Sequence, residues 1–421
     1  FPMRPGLVFV LLLFASFIAR LPVHSSFAQS PENGPPPVIE SQHPNAETSP
    51  TPAPAEEQTL PEPIPPKPAD AVLELIELRN ALRLSPDSAD NRLKLAQGLY
   101  NIGDLDAVVE ECRMALKLES NNAKAYLLLG ITQMAKQDGQ AAAIALMEAT
   151  MLDPGLTQAH YSLGSVQYTL GNFAAAAQSY RRALELQTSF LDARYRLALV
   201  LKLMKQHQEA VKFMEDAAIG GISQAQYFMG VAYRNGQGVD KDLSLAIRWW
   251  TKAIEFGQQR AAESLSQLRR QALSPDQPER RRNDIIEAFR QYRDGLWADY
   301  PDAVRTDPNE SLGVALLKDN PGANGITVLF AEAYALGETA HDELVGFYET
   351  GLDTRLSQFD KRILTCLATT AADGFIPAKK TLARIYGKGL GITPDLQKAK
   401  TMLKGLPKQE MQGILDEIAG R

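Results

Sequence analysis

The chain is short of the residues that build metal, redox and nucleic-acid sites. Its 421 residues include 2 cysteines, Cys112 and Cys366, too few for a disulfide framework and not spaced as a metal site. The 5 histidines, His24, His43, His160, His207 and His341, are scattered rather than clustered. No metal and no cofactor is therefore expected. Basic residues do not predominate: the formal net charge is -6, whereas nucleic-acid binding calls for a basic surface, so no nucleic-acid partner is expected. The apolar run Gly6 to Ala19 has 14 residues, short of the roughly 20 that a membrane span needs. Serine, histidine and acidic residues are present, but no motif joins them into a catalytic set.

Hydrophobic content of 45% over this length suffices for more than one folded unit. Residues 1–28 read as a secretory signal, with Met3 as the start, Arg4 as the basic region and Gly6 to Ala19 as the apolar run. Ser26-Phe27-Ala28 then offers small residues where a signal peptidase reads. An uncleaved membrane anchor is the competing reading; cleavage leaves no span. No cysteine lies near this point, which excludes lipoprotein processing. Residues 29–69 hold half of the 26 prolines, including Pro35-Pro36-Pro37 and Pro61 to Pro66, and Lys67 is their only lysine or arginine. Apolar residues there are too few for a core, so this segment is expected to be a disordered, extended linker or spacer.

From Ala89 to Ile222 the sequence repeats every 34 residues, four times, without insertion. A leucine followed by a small residue recurs as Leu95-Ala96, Leu129-Gly130, Leu163-Gly164 and Leu197-Ala198. Nineteen residues after each small residue stands Ala115, Ala149, Ala183 or Ala217, with Cys112, Leu146, Tyr180 and Met214 in between. Small residues let two antiparallel helices approach closely, and larger ones fill the space beside the crossing. This register resembles the tetratricopeptide repeat, a two-helix unit of that period. Ahead of it, Asp70 to Leu84 reads as an amphipathic half-repeat with Val72, Leu75, Ile76, Leu78 and Leu82 on one side, capping the stack. Residues 70–222 thus form one repeat domain.

The pattern then changes. Ala225, Met229-Gly230, Tyr233, Gly236, Gly238-Val239, Asp242 and Ala246 form one series. Ala378, Leu382-Ala383, Tyr386, Gly389, Gly391-Ile392, Asp395 and Ala399 repeat it at identical spacing. The series resembles the Sel-one-like repeat, and Trp249-Trp250 continues the family pattern in the first copy. The second copy has Lys400-Thr401-Met402-Leu403 there instead. A weaker copy is traceable from Leu344 to Gly351, ending in Ala371 to Gly374. The units are assigned to 223–268 and 326–421. Between them, 269–325 is rich in Pro-containing pairs and is expected to be an irregular hinge or insertion, with one amphipathic helix around Ile285, Ile286, Phe289, Tyr292 and Trp297. The whole reads as an all-α fold, an α-solenoid of antiparallel helix pairs.

Gly236-Gln237-Gly238 and Gly387 to Gly391 superficially suggest phosphate loops. They follow helices rather than strands, and Lys388 precedes Gly389 rather than Ser or Thr, so they read as inter-helix turns that use positive φ. Asp104, Asp242 and Asp395 are placed to cap helices. Cys112 and Cys366 read as buried small hydrophobes. His160 falls in a first-helix core column and reads as a packed residue, and Arg280-Arg281-Arg282 as a solvated segment.

Projecting the period onto the first helices defines an inner face. It carries Leu93, Gln97 and Tyr100, then Leu127, Ile131 and Met134, then Tyr161, Ser165 and Tyr168, then Tyr195, Leu199 and Lys202. Some tetratricopeptide domains grip a peptide carboxylate with Lys, Asn and Arg on this face, a set absent here. Aromatic and aliphatic groups with few charges suit an apolar or amphipathic peptide segment. The alternative is that part of the row packs against neighbouring repeats or lies under the Pro-rich segment. The expected function is a non-catalytic protein–protein interaction scaffold, exported to the periplasm or cell envelope of a bacterium. Two other readings stand beside it: an envelope enzyme, hydrolytic or wall-modifying, with a site in 269–325, or a membrane-anchored structural spacer.

Overall fold

The structure is a computed structural model that describes residues 68–307, 309–319 and 324–420. The signal segment 1–28 and the Pro-rich segment up to Lys67 lie outside the described residues. Among the described residues the chain is all-α, with helices throughout and no β-strand; an isolated bridge joins Leu352 and Leu356. It divides after Ser189 into two compact units. Each is built of consecutive antiparallel helices joined by short turns, the local arrangement of an α-solenoid.

In the first unit α1 (Pro68–Leu84) precedes three helix pairs. These are α2 (Ala89–Asn101) with α3 (Leu105–Leu118), α4 (Ala123–Ala135) with α5 (Gly139–Leu152), and α6 (Thr157–Thr169) with α7 (Phe173–Leu186). Ser88, Asp104, Asn122 and Asp138 cap α2 to α5, each accepting a bond from the N–H three residues on. Each cap satisfies one of the orphan donors of a helix start and contributes about 1 kcal/mol.

The small-residue column has a specific partner. A Cβ added to Gly130 would lie 2.5 Å from Leu146, and one added to Gly164 would lie 2.8 Å from Tyr180. Leu146 and Tyr180 are fully buried, and each contributes about 1.5–3 kcal/mol by leaving water. Where Ala96 replaces glycine, the corresponding second-helix residue is the smaller Cys112, also buried. At Gly130 and Gly164 the first helix therefore leaves the space that its partner's side chain fills.

One expectation about α1 is corrected. Leu75 is buried and Leu78 and Leu82 pack beside it, but Val72 and Ile76 are exposed. Leu75 and Leu78 both reach Gly98 on α2, and the roughly 100° turn per residue carries Val72 and Ile76 off that contact.

The second unit opens with the fourth pair, α8 (Leu191–Leu203) and α9 (His207–Ile219), followed by α10 (Ser223–Asn235) and α11 (Leu243–Glu255). Then come α12 (Gln259–Leu273), α13 (Glu279–Leu296), α14 (Leu312–Asp319), α15 (Gly325–Tyr334), α16 (Glu338–Thr350), α17 (Lys361–Ala372), α18 (Ile376–Lys388), α19 (Leu396–Met402) and α20 (Lys408–Ile418). The glycine turns are as expected: Gly236, Gly238, Gly389 and Gly391 have φ of 69°, 80°, 71° and 67°. Asp242 accepts from the N–H groups of Ser244 and Leu245, and Asp395 from that of Lys398. In the first copy Trp250 lies where a Cβ on Gly230 would stand. In the second, Leu403 occupies the position of Trp250 and is fully buried with Ala383 and Ala399. Exchange of Gly and Trp for Ala and Leu preserves the packing at that site.

Residues 269–325 hold more regular structure than their prolines suggest. Arg269 to Leu273 complete α12, and α13 runs for 18 residues. Its Ile285, Phe289 and Tyr292 enter the same core as Trp250, Leu265 and Leu268, while Ile286 is exposed. Pro275 and Pro278 lie in the turn between α12 and α13, where they end one helix and admit the next. Proline marks helix boundaries here without preventing a core. Arg269 itself is buried and bonds to buried Asp373 at the end of α17, with Nη2 2.7 Å from Oδ2.

Candidate functional site

In the first unit the inner-face residues occupy equivalent positions on α2, α4 and α6. None of the nine is fully buried, and Gln97 is exposed. Leu93 and Tyr100 lean on the core of Leu95, Ala96, Leu99 and Cys112. The Tyr100 hydroxyl is buried without a hydrogen-bond partner, and burial pushes it up to about 12. Leu127 and Met134 lean on Leu146, Leu163 and Val166. Ile131, between them, is half-buried.

On α6 the polar atoms are already committed. The Tyr180 hydroxyl donates to Ser165 Oγ at 3.1 Å, and Ser165 donates to the Tyr161 carbonyl at 3.1 Å. The Tyr161 ring tilts against that of Tyr180, centroids 5.8 Å apart, and Tyr168 against Phe173 at 5.9 Å. Ser165 thus anchors the Tyr180 hydroxyl, and the Tyr161 ring packs on the tyrosine so held. Tyr161 and Tyr168 are half-buried and held in place from behind, so a ligand could pack on them with little loss of side-chain freedom.

The second unit carries Tyr195, Leu199 and Lys202 on α8. Tyr195 and Leu199 rest on a core of Ala198, Met214 and Met229. Phe228 of α10 joins them: its ring is 6.4 Å from Tyr195 and 5.6 Å from Tyr227. The Lys202 ammonium lies 4.4 Å from the Phe228 centroid, and burial lowers its pKa. A cavity of about 30 Å³ lies nearby, lined by Lys202, Met214, Phe228 and Val231 among others. That is the scale of one water molecule rather than of a substrate.

Two family descriptions match this sequence. The tetratricopeptide repeat matches residues 157–190 and 191–218, and the Sel1 repeat matches 223–255 and 382–404. The chain carries tetratricopeptide and Sel1 repeats. Its structure is similar to that of YrrB, "a TPR protein with an unusual peptide-binding site", at 22% identity over 44% of this chain and 96% of that one, TM-score 0.39. It is also similar to a MamA protein, at 27% identity over 41% and 94%, TM-score 0.37. MamA from Desulfovibrio magneticus RS-1 gives 18%, 41% and 96%, TM-score 0.37. No curated protein matches the chain.

Repeats of both kinds point to a protein or peptide partner. The Sel1 unit also explains why the projected row omitted Tyr227 and Phe228. Met229-Gly230 follows Leu197-Ala198 by 32 residues, two short of the tetratricopeptide period. Shifting the projection by two would have found Tyr227, the counterpart of Tyr195. Phe228 is one position off that column, and only its contacts with Tyr195 and Lys202 reveal it.

His160 is corrected. It is half-buried, not a core residue, and its Nε2 lies 3.1 Å from the Pro154 carbonyl, holding the turn before α6. Cys112 and Cys366 are buried free thiols, and burial pushes both up to about 12.

In and around 269–325, several titratable groups are held in hydrogen bonds and ion pairs that tie helices together. Buried Glu332 accepts from Ser311 Oγ at 2.5 Å and from the N–H groups of Leu312 and Gly313, so it caps α14. Arg248 pairs with Asp299, and Asp294 with Arg290 and Arg305. Among the described residues, no group of three or more His, Cys, Asp or Glu could hold a metal ion, and no helix is long and apolar enough to cross a membrane.

Proposed function

We propose that the chain is an exported, non-catalytic scaffold of the bacterial cell envelope, whose tetratricopeptide inner faces take an apolar or amphipathic segment of a partner protein. The observation that carries this reading is the composition and exposure of the twelve inner-face residues. Nine are aliphatic or aromatic, one is charged, and all keep accessible surface. The tyrosines are braced, so contact area is offered at little entropic cost.

Export rests on Arg4, the apolar run and Ala28, and it predicts that the mature chain begins near Gln29. N-terminal sequencing of protein from the envelope fraction checks this; a retained apolar run would show an anchor instead. The binding face is tested in the same cells with a photo-crosslinking amino acid. Placed at Ile131, it should yield adducts with a partner. Placed at the exposed Gln178 of α7, on a second helix, it should not. Adducts from Gln178 with none from Ile131 would move the site off the inner face.

A further inference from the structure

Burial aligns three first helices of the second unit. Ala193, Leu197 and Val200 are buried on α8, Ala225, Met229 and Ala232 on α10, and Ala261, Leu265 and Leu268 on α12, each set at spacings of four and three. Residues at equal places between them form rows across the unit. Tyr195 and Tyr227 share one row with Glu263. Lys202, Arg234 and Arg270 share another, about two helical turns further on. In the first unit the second of these positions holds Tyr100, Met134 and Tyr168, so the cations are particular to the second unit.

These cations are short of counter-ions. Lys202 and Arg234 are half-buried, and among the described residues they make no ion pair. The Lys202 ammonium rests on the Phe228 ring, and burial lowers its pKa. Arg234 donates to Gln267 Oε1 at 3.4 Å and stands 5.9 Å from the Trp250 ring. The Arg270 side chain is 59% exposed, with Asp373 3.6 Å away. A half-buried cation gains most from an anion that arrives with apolar surface, because water then leaves the pair.

We propose that the inner face of the second unit takes an acidic amphipathic segment of a partner protein. Its apolar side lies on Tyr195, Tyr227 and Phe228, and its carboxylates lie along Lys202, Arg234 and Arg270. This rests on the inner-face reading above and adds the sign of the partner's charge. Packed helices stand about 8–10 Å apart, so the three cations span about 20 Å, the length of a helical segment of about 15 residues. A nucleic acid would meet a chain of net charge -6 with only three cations in the row.

Fluorescent peptides of about 15 residues test this. All carry Leu and Phe at helical spacing, and their flank carries Glu, Gln or Lys. With the full chain, the Glu peptide should bind about tenfold tighter than the Gln peptide, the Lys peptide should bind weakest, and added salt should shrink the difference. Lys202→Glu with Arg234→Glu should invert the order, with circular dichroism showing that the chain is folded. If the reversed chain does not fold, Arg234→Gln alone should cut the advantage of the Glu peptide by about threefold. Equal binding of the three peptides overturns this inference and leaves the inner-face reading standing; binding of none overturns both. A Glu preference indifferent to these substitutions also overturns it, by moving the acidic partner elsewhere. So does displacement of the Glu peptide by an equal concentration of oligothymidylate, which would make nucleic acid the occupant.

Discussion

Gly230 has no Cβ, and the Trp250 indole occupies the place where one would stand. Trp250 is fully buried and its Nε1 donates to the Tyr227 carbonyl at 3.3 Å, so the ring has little room to yield. Gly230→Ala should therefore destabilise the second unit by about 1–3 kcal/mol through overpacking, despite the better helix propensity of alanine. Gly346 on α16 is the control, because nothing lies within 4 Å of an added Cβ. Gly346→Ala should stabilise by about 0.4–1 kcal/mol. Thermal melts of the two variants check both signs.

His341 supplies a pH dependence at the same scale. It is buried against Phe375, its Nδ1 bonds Asp342 at 3.1 Å, and its Nε2 has no partner. Burial lowers its pKa, a shift opposed by Asp342 and then Glu338. The folded chain therefore takes up a proton less readily than the unfolded chain. The resulting stability is present above the ordinary imidazole value of about 6.5 and declines as pH falls below it. His341→Leu should flatten melting temperature against pH in that window. An unchanged acid slope would place the titration elsewhere.

At the scale of elements, the second unit depends on a charge pair no periodicity could reveal. Arg269 on α12 donates through Nε at 2.8 Å to Asp373 at the end of α17, and Nη1 donates to the Tyr334 carbonyl at 3.2 Å. Ser266 supplies a further bond to Asp373. Arg269→Met leaves buried Asp373 without its close guanidinium partner, with Arg270 Nη1 still 3.6 Å away, and should cost about 3 kcal/mol. Adding Asp373→Leu should recover much of that loss, since an apolar pair of similar volume replaces two buried ions. Chemical denaturation of the singles and the double measures the coupling. If the double loses the sum of the singles, the pair contributes independently and the reading fails.

Elements were legible where spacing carried them. The small-residue columns, glycine turns and aspartate caps recur in phase, and each reports a local geometric need. Arg269 with Asp373 and Glu332 with Ser311 were not legible. Their partners lie far off in sequence and occur once, so nothing repeats to mark them. The prolines of 269–325 misled because a proline at a helix boundary and one in an irregular loop look alike without the packing of α13.

For the whole molecule, the candidate inner face was read from the 34-residue period, and its supports from behind were not. Tyr180, Phe173 and Phe228 stand on other helices or outside the period, and they decide which positions test binding cleanly. Tyr161→Ala and Tyr168→Ala would disturb contacts with Tyr180 and Phe173 as well as any ligand. Ile131 is half-buried, lies between Leu127 and Met134 and makes no ring or side-chain hydrogen-bond contact, so it probes the surface with less effect on the core than either tyrosine.

The most direct measurement is therefore a titration. An amphipathic peptide selected by display against the full chain is titrated into the parent and into Ile131→Asp, with melting temperatures recorded alongside. A charge at the centre of the apolar face should weaken binding by about 30-fold or more, equivalent to about 2 kcal/mol, with the melt nearly unchanged. Equal affinity of parent and variant would contradict the account, because the partner would then bind away from the inner face.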